Sequence, residues 1–200
     1  MESAEAFQRL VKEAHGCRVC RDVVSGSAIL SDFPISPVSI FFVAEAPGYL
    51  GAVRYKIPLW GDRAGKNFRA YCAGAGVDLS RAYITNAVLC HPASCFGKNR
   101  TPKRSEIRSC GSFLGRQIEI IDPTLVVALG RCALDALRLI EPHEIEFGHD
   151  VAQPTPWGKR HLVSLYHPSG RTLSRRTQQA QLHDYSVVAK WQENALIKTP

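Results

Sequence analysis

Four short apolar runs, spaced by helix-like stretches, constrain this chain more than any other feature. Val38 to Ala44, Ala82 to Leu89, Thr124 to Leu129 and Leu162 to Tyr166 are rich in Val, Ile, Leu and aromatic residues and carry no charge. Runs of that length and composition suit strands buried on both faces. Residues 64–74, 104–121, 131–140 and 177–196 read as helices, and residues 3–14 as an amphipathic helix with Phe7, Leu10 and Val11 on one face. Pro102 stands just before the 104–121 helix, and Gly130 opens the next one. Strands alternating with helices predict a parallel sheet covered on both sides, a three-layer α/β/α fold. No repeat or linker interrupts the pattern, so residues 1–200 are expected to form a single domain.

In such sheets ligands bind beyond the carboxyl ends of the strands. Three segments fall there: Ala44 to Gly48 (Ala-Glu-Ala-Pro-Gly), Thr85 to Ala87, and Tyr166 to Gly170 (Tyr-His-Pro-Ser-Gly). Charge bears on what binds. The net charge is +7, and Lys98, Arg100, Lys103, Arg104 and Arg108 fall in one stretch, Arg171, Arg175 and Arg176 in another. A surplus of this kind serves solubility or a polyanionic partner; its clustering beside the rim motifs favours the polyanion. No apolar run approaches the roughly 18–20 residues of a membrane span. The first residues lack the apolar core of a secretory signal, so a cytoplasmic protein without a membrane partner is expected.

Seven cysteines are many for a reducing compartment, and an odd number does not pair off. Cys17 and Cys20 form a C-x-x-C pair; Cys90 follows a predicted strand and Cys110 lies in the following helix. Four thiolates suit either a [4Fe–4S] cluster or a tetrahedral zinc. Cys72 and Cys132 sit in helical patterns as small apolar residues, and Cys95, in a loop, is a possible substitute ligand.

The order of these blocks is similar to the uracil-DNA glycosylase superfamily, and most of all to its iron–sulfur family 4 branch. The blocks are Cys17-x-x-Cys20, Ala44 to Gly48, Gly61 to Gly65, Tyr83 to Cys90, Asn99 to Pro102, Cys110, Val126 to Gly130 and His167 to Ser169. The resemblance runs from Cys17 to about Arg176. It implies a central four-stranded parallel sheet, a [4Fe–4S] cluster on Cys17, Cys20, Cys90 and Cys110, and DNA containing uracil as substrate. A monomer acting on the nucleoid is the corresponding expectation.

Breaking an N-glycosidic bond builds positive charge on the sugar and negative charge on the departing base, so both need stabilising. The resemblance assigns Asn86 to reading the extruded base, His167 to donating to uracil O2, and Glu45 to the water or the sugar cation. Ala46 stands where other branches carry a water-activating Asp. The acid expected near Gly51 is missing, and Leu59 replaces the stacking Phe, leaving Leu59, Trp60 or Tyr49 as the face against the base. Arg100, Lys103, Ser169, Arg171 and Arg175 are the expected DNA contacts, with Arg171 or Leu173 as wedge. Two alternatives accompany this reading: a glycosylase for another deaminated base or a protein retaining abasic sites, and a non-enzymatic cluster- or zinc-containing nucleic-acid-binding module.

Overall fold

The computed structural model describes residues 2–24, 26–94 and 99–197. The sheet contains β1 (Ile40–Ala44), β2 (Ala82–Asn86), β3 (Leu125–Leu129), β4 (Thr155–Trp157) and β5 (Arg160–Leu165) in the order β2-β1-β3-β5-β4. The first four strands of that order are parallel, and β4 adds an antiparallel edge against β5. The expected four-stranded parallel sheet is therefore present, with a fifth short strand attached. Sequence pattern misses β4 because it is three residues long with Pro156 at its centre. Proline is tolerated there because an edge strand leaves one row of N–H positions unused.

Helices α1 (Glu2–Gly16), α2 (Arg63–Ala75), α3 (Arg104–Ile121), α4 (Arg131–Arg138) and α5 (Gln178–Ile197) cover the sheet. Alternation along each strand decides which face meets which helix. Phe41, Val43, Val126 and Ala128 point into a core shared with Phe7 of α1, Leu114 and Ile118 of α3, and Leu134 of α4. Ile40, Phe42, Leu125 and Val127 point the other way, against Phe68 and Cys72 of α2 and Tyr185 and Val188 of α5. Two cores on one sheet make the three layers. No helix among the described residues is long and apolar enough to cross a membrane.

The helix ends are set by local chemistry. Asp62 caps α2 by accepting from the Gly65 N–H at 2.9 Å, and Gly76 closes it in the left-handed region at φ 82°. Glu106 reaches back to the Lys103 N–H at 2.7 Å and starts α3. These caps matter to function because α2 and α3 begin at the carboxyl rim of the sheet.

Candidate functional site

An open cleft of about 1050 Å³ lies at that rim, and Glu45, Ala46, Leu59, Asp62, Asn86, His167, Ser169 and Arg171 all line it. Parallel register delivers two of its walls. Ala44 pairs with Asn86 at the ends of β1 and β2. Ala87 N–H then donates to Ala44 O at 2.8 Å and Val88 N–H to Glu45 O at 3.2 Å, stitching the two rim loops together.

Asn86 is buried, and its amide nitrogen has no hydrogen-bond partner. A desolvated donor left unpaired costs about 1–3 kcal/mol, and this one belongs to a residue that lines the cleft. His167 follows β5. Burial pushes its pKa down to about 4, with the nearby Asp62 carboxylate opposing, so the imidazole is neutral near pH 7. A neutral ring keeps one N–H to donate. Gly130, at φ 93°, makes room for this histidine: a Cβ there would stand 3.1 Å from the His167 Cβ. Burial raises the Glu45 pKa, and Arg171 across the cleft partly offsets the rise.

Asp62 is a site residue that sequence reasoning missed. Its Oδ1 caps α2, and its Oδ2 projects over the Ala44–Gly51 loop. A Cβ on Gly51 would lie 2.6 Å from that Oδ2 and one on Gly48 3.0 Å. The Asp62 carboxylate thus lies beside position 51, where the chain itself carries no acid. A capping Asp before a helix reads as structure in one dimension; only the folded loop shows its second oxygen facing the cleft.

The expected stacking residues separate. Leu59 and Ala46 line the cleft, whereas Tyr49 and Trp60 stand outside its wall. Trp60 carries the Arg69 guanidinium 3.9 Å from its ring centroid, and Tyr49 packs 6.0 Å from the His91 ring. Among the described residues Phe147 is the one phenyl or indole ring lining the cleft, braced by Tyr166 at 5.0 Å. No motif marked it.

The basic residues also divide. Arg100 lines the cleft but bonds inward, to Ala93 O at 3.1 Å and to both Glu106 oxygens at 2.6 and 2.8 Å. Lys103 pairs with Asp22 at 2.6 Å on the exposed surface. Arg63, Arg104, Arg131 and Arg171 line the cleft and make no ion pair among the described residues. Arg175 and Arg108 are exposed, and Arg176 is held by Asp184. Lys98 and Cys95 lie outside the described residues.

Cys17, Cys20, Cys90 and Cys110 come together from three segments around one small apolar cavity, with Val19, Val23 and Val88 between them. Burial raises the thiols of Cys20 and Cys90 and pushes Cys110 up to about 12, and the thiols raise one another further. His91, next to Cys90, joins this region to the cleft. It is buried, with Nδ1 2.9 Å from Pro47 O and its backbone N–H donating to Ser27 Oγ at 3.0 Å.

One cleft at a parallel α/β rim thus presents an orphaned amide, a neutral imidazole and two carboxylates. The chain belongs to the uracil DNA glycosylase superfamily, whose model matches residues 30–187. It is 31% identical over 172 residues to the Type-4 uracil-DNA glycosylase of Archaeoglobus fulgidus, covering 82% of each chain. The Type-4 uracil-DNA glycosylase of Thermotoga maritima is 34% identical over 131 residues, 65% of this chain and 64% of that one. A Type-5 uracil-DNA glycosylase of Pyrobaculum aerophilum is 38% identical over 95 residues, 47% of this chain and 39% of that one.

Proposed function

We propose that this chain is a uracil-DNA glycosylase: it takes uracil out of DNA and hydrolyses the N-glycosidic bond, leaving an abasic site. The observation that carries the reading is the convergence of Glu45, Asp62, Asn86 and His167 on one cleft. Uracil offers an acceptor at O4 and a donor at N3, which the Asn86 amide matches; cytosine presents the opposite pattern and is refused. Extruding the base costs a few kcal/mol. Arg63, Arg104, Arg131 and Arg171 offset that cost by meeting phosphates along the cleft. Leu59 supplies the apolar face over the ring.

The C1′–N1 bond breaks with its electron pair leaving on the base. Negative charge gathers at uracil O2, where the neutral His167 N–H donates. Positive charge gathers on the sugar, which the Glu45 and Asp62 carboxylates face. Asp62 Oδ2 holds the attacking water, whose oxygen bonds to C1′ while its proton passes through the carboxylate to solvent. Uracil N1 takes up a proton as it leaves.

Cys17, Cys20, Cys90 and Cys110 would hold a [4Fe–4S] cluster, whose part would be structural: bound there, it would tie the end of α1 to the end of β2 and to α3. The donor set fits such a group: four thiols, with no imidazole or carboxylate among them, ring one small cavity. The enzyme acts as a monomer on cytoplasmic, nucleoid DNA.

The test is incubation with a uracil-containing duplex, assayed for free uracil and alkali-labile sites beside a thymine control. Asn86→Ala is expected to lower excision about 100-fold while still binding the duplex. Absence of any released base from the wild-type protein would overturn the assignment in favour of a binding module.

A further inference from the structure

We propose that residues 49–60 form a stacking platform for the unpaired nucleotides that flank the lesion. The proposal rests on the glycosylase reading above. Nine large apolar side chains are exposed among the described residues, and five of them fall in this one segment: Tyr49, Leu50, Tyr55, Ile57 and Trp60. Leu50 is 68% exposed and Tyr49 57%. Exposed apolar surface concentrated in this way marks an interaction site.

Charge selects the occupant. The segment reads YLGAVRYKIPLW, with Arg54 and Lys56 and no acid. The Arg54 guanidinium lies 5.6 Å from the Tyr55 ring centroid, and Arg69 of α2 lies 3.9 Å from that of Trp60. Gly61 lets the Tyr55 ring settle on the backbone, where a Cβ would come within 2.2 Å of it. Aromatic faces beside guanidinium groups are what a single strand uses, because bases stack on the rings and phosphates meet the cations. An apolar protein surface or a neutral bilayer would leave Arg54 and Lys56 unmatched. A duplex buries its base faces and meets only the cations.

Position fits the same occupant. Leu50, Ala52 and Leu59 line the cleft, and Arg63 follows immediately at its wall. A strand whose uracil occupies the pocket between Asn86 and His167 would therefore run its neighbouring nucleotides across this lip.

The test uses Tyr55→Ala and Ile57→Ala, neither of which alters a residue of the pocket. The probe is a labelled oligothymidine without uracil, either single-stranded or annealed to its complement, read by fluorescence anisotropy. Each variant is expected to raise the single-strand Kd at least roughly fivefold and to move the duplex Kd less than about twofold. Tyr55→Phe keeps the ring and is expected to bind as the wild type does. Unchanged single-strand affinity in both alanine variants overturns the platform, as does an equal loss on both DNAs. Ile57→Ala guards against a folding artefact, since Tyr55 also packs on Gly61. Wild-type protein that releases uracil from neither form of DNA would remove the glycosylase reading alone, because these binding measurements need no catalysis.

Discussion

The cysteine cradle and the base cleft are joined by a few residues of chain yet are built on opposite principles. β2 ends at Asn86 in the cleft, and four residues later Cys90 enters the cradle. The cradle is small and apolar, and its chemistry is four copies of one side chain. The cleft is wide, with polar and charged groups set among apolar ones, and its working groups come from different segments with unlike roles. His91 spans the two by holding Pro47 O. Identity of side chain makes the first site; relative placement makes the second. Mutations should therefore act on stability in the cradle and on rate in the cleft.

The largest expected contrast tests that division. His167→Ala should lower kcat about 100- to 1000-fold, as loss of one donor to a developing anion does, with melting nearly unchanged. Cys110→Ala should abolish visible colour near about 400 nm and lower the melting temperature, with activity falling only as folded protein is lost. A cysteine variant that melts normally yet is inactive would break the comparison.

Asp62 sharpens it, because this residue serves structure and chemistry at once. Asn is as good a helix cap as Asp, so Asp62→Asn should keep the α2 cap and still reduce kcat about 100-fold. Asp62→Ala should add a loss of stability of about 1 kcal/mol from the missing cap. Steady-state kinetics beside thermal melts separate the two contributions. If the Asn variant retains full rate, Asp62 is a cap and nothing more.

A pH profile is the next test. Glu45 must be ionised to face the sugar cation, and its pKa is raised by burial. Activity should therefore fall as pH drops through a value above the ordinary carboxylate 4.5. His167 stays neutral down to about pH 4, so it contributes no limb near the usual 6.5. Its depressed pKa also means that the unfolded chain binds the proton first. Stability linked to this group is lost as pH falls from 6.5 toward 4. Glu45→Gln should erase the acidic limb of log kcat/KM; persistence of that limb assigns it elsewhere.

The smallest effects concern phosphates. Arg104→Ala should weaken DNA binding and reduce the slope of log K against log salt by about 1. Lys103→Ala, one residue away, should change affinity less than about twofold, since its ammonium is paired with Asp22. Equal effects from the two would show that the Lys103 pair opens on DNA.

Much of this was legible in one dimension. The buried strands announced themselves as uncharged apolar runs, and parallel strands between helices allow few topologies. Asn86, His167 and Glu45 were legible because each ends or follows a strand, and strand ends in a parallel sheet share one rim. β4 was not, because three residues around a proline carry no periodicity. That Glu106 engages Arg100 and Asp22 engages Lys103 was not legible, because a basic run does not reveal the acids that the fold sets against it.

Local pattern and spacing were enough for the four parallel strands, the five α-helices, the C-x-x-C pair and the residues at each parallel strand end. Three-dimensional packing alone set Asp62 Oδ2 over the Ala44–Gly51 loop, brought Phe147 to the cleft, and left Arg63 and Arg104 there without the ion pair that Arg100 makes with Glu106. The reason is physical: spacing along a chain fixes which groups share an element, whereas charge, burial and reach at a site depend on neighbours that the fold brings from elsewhere.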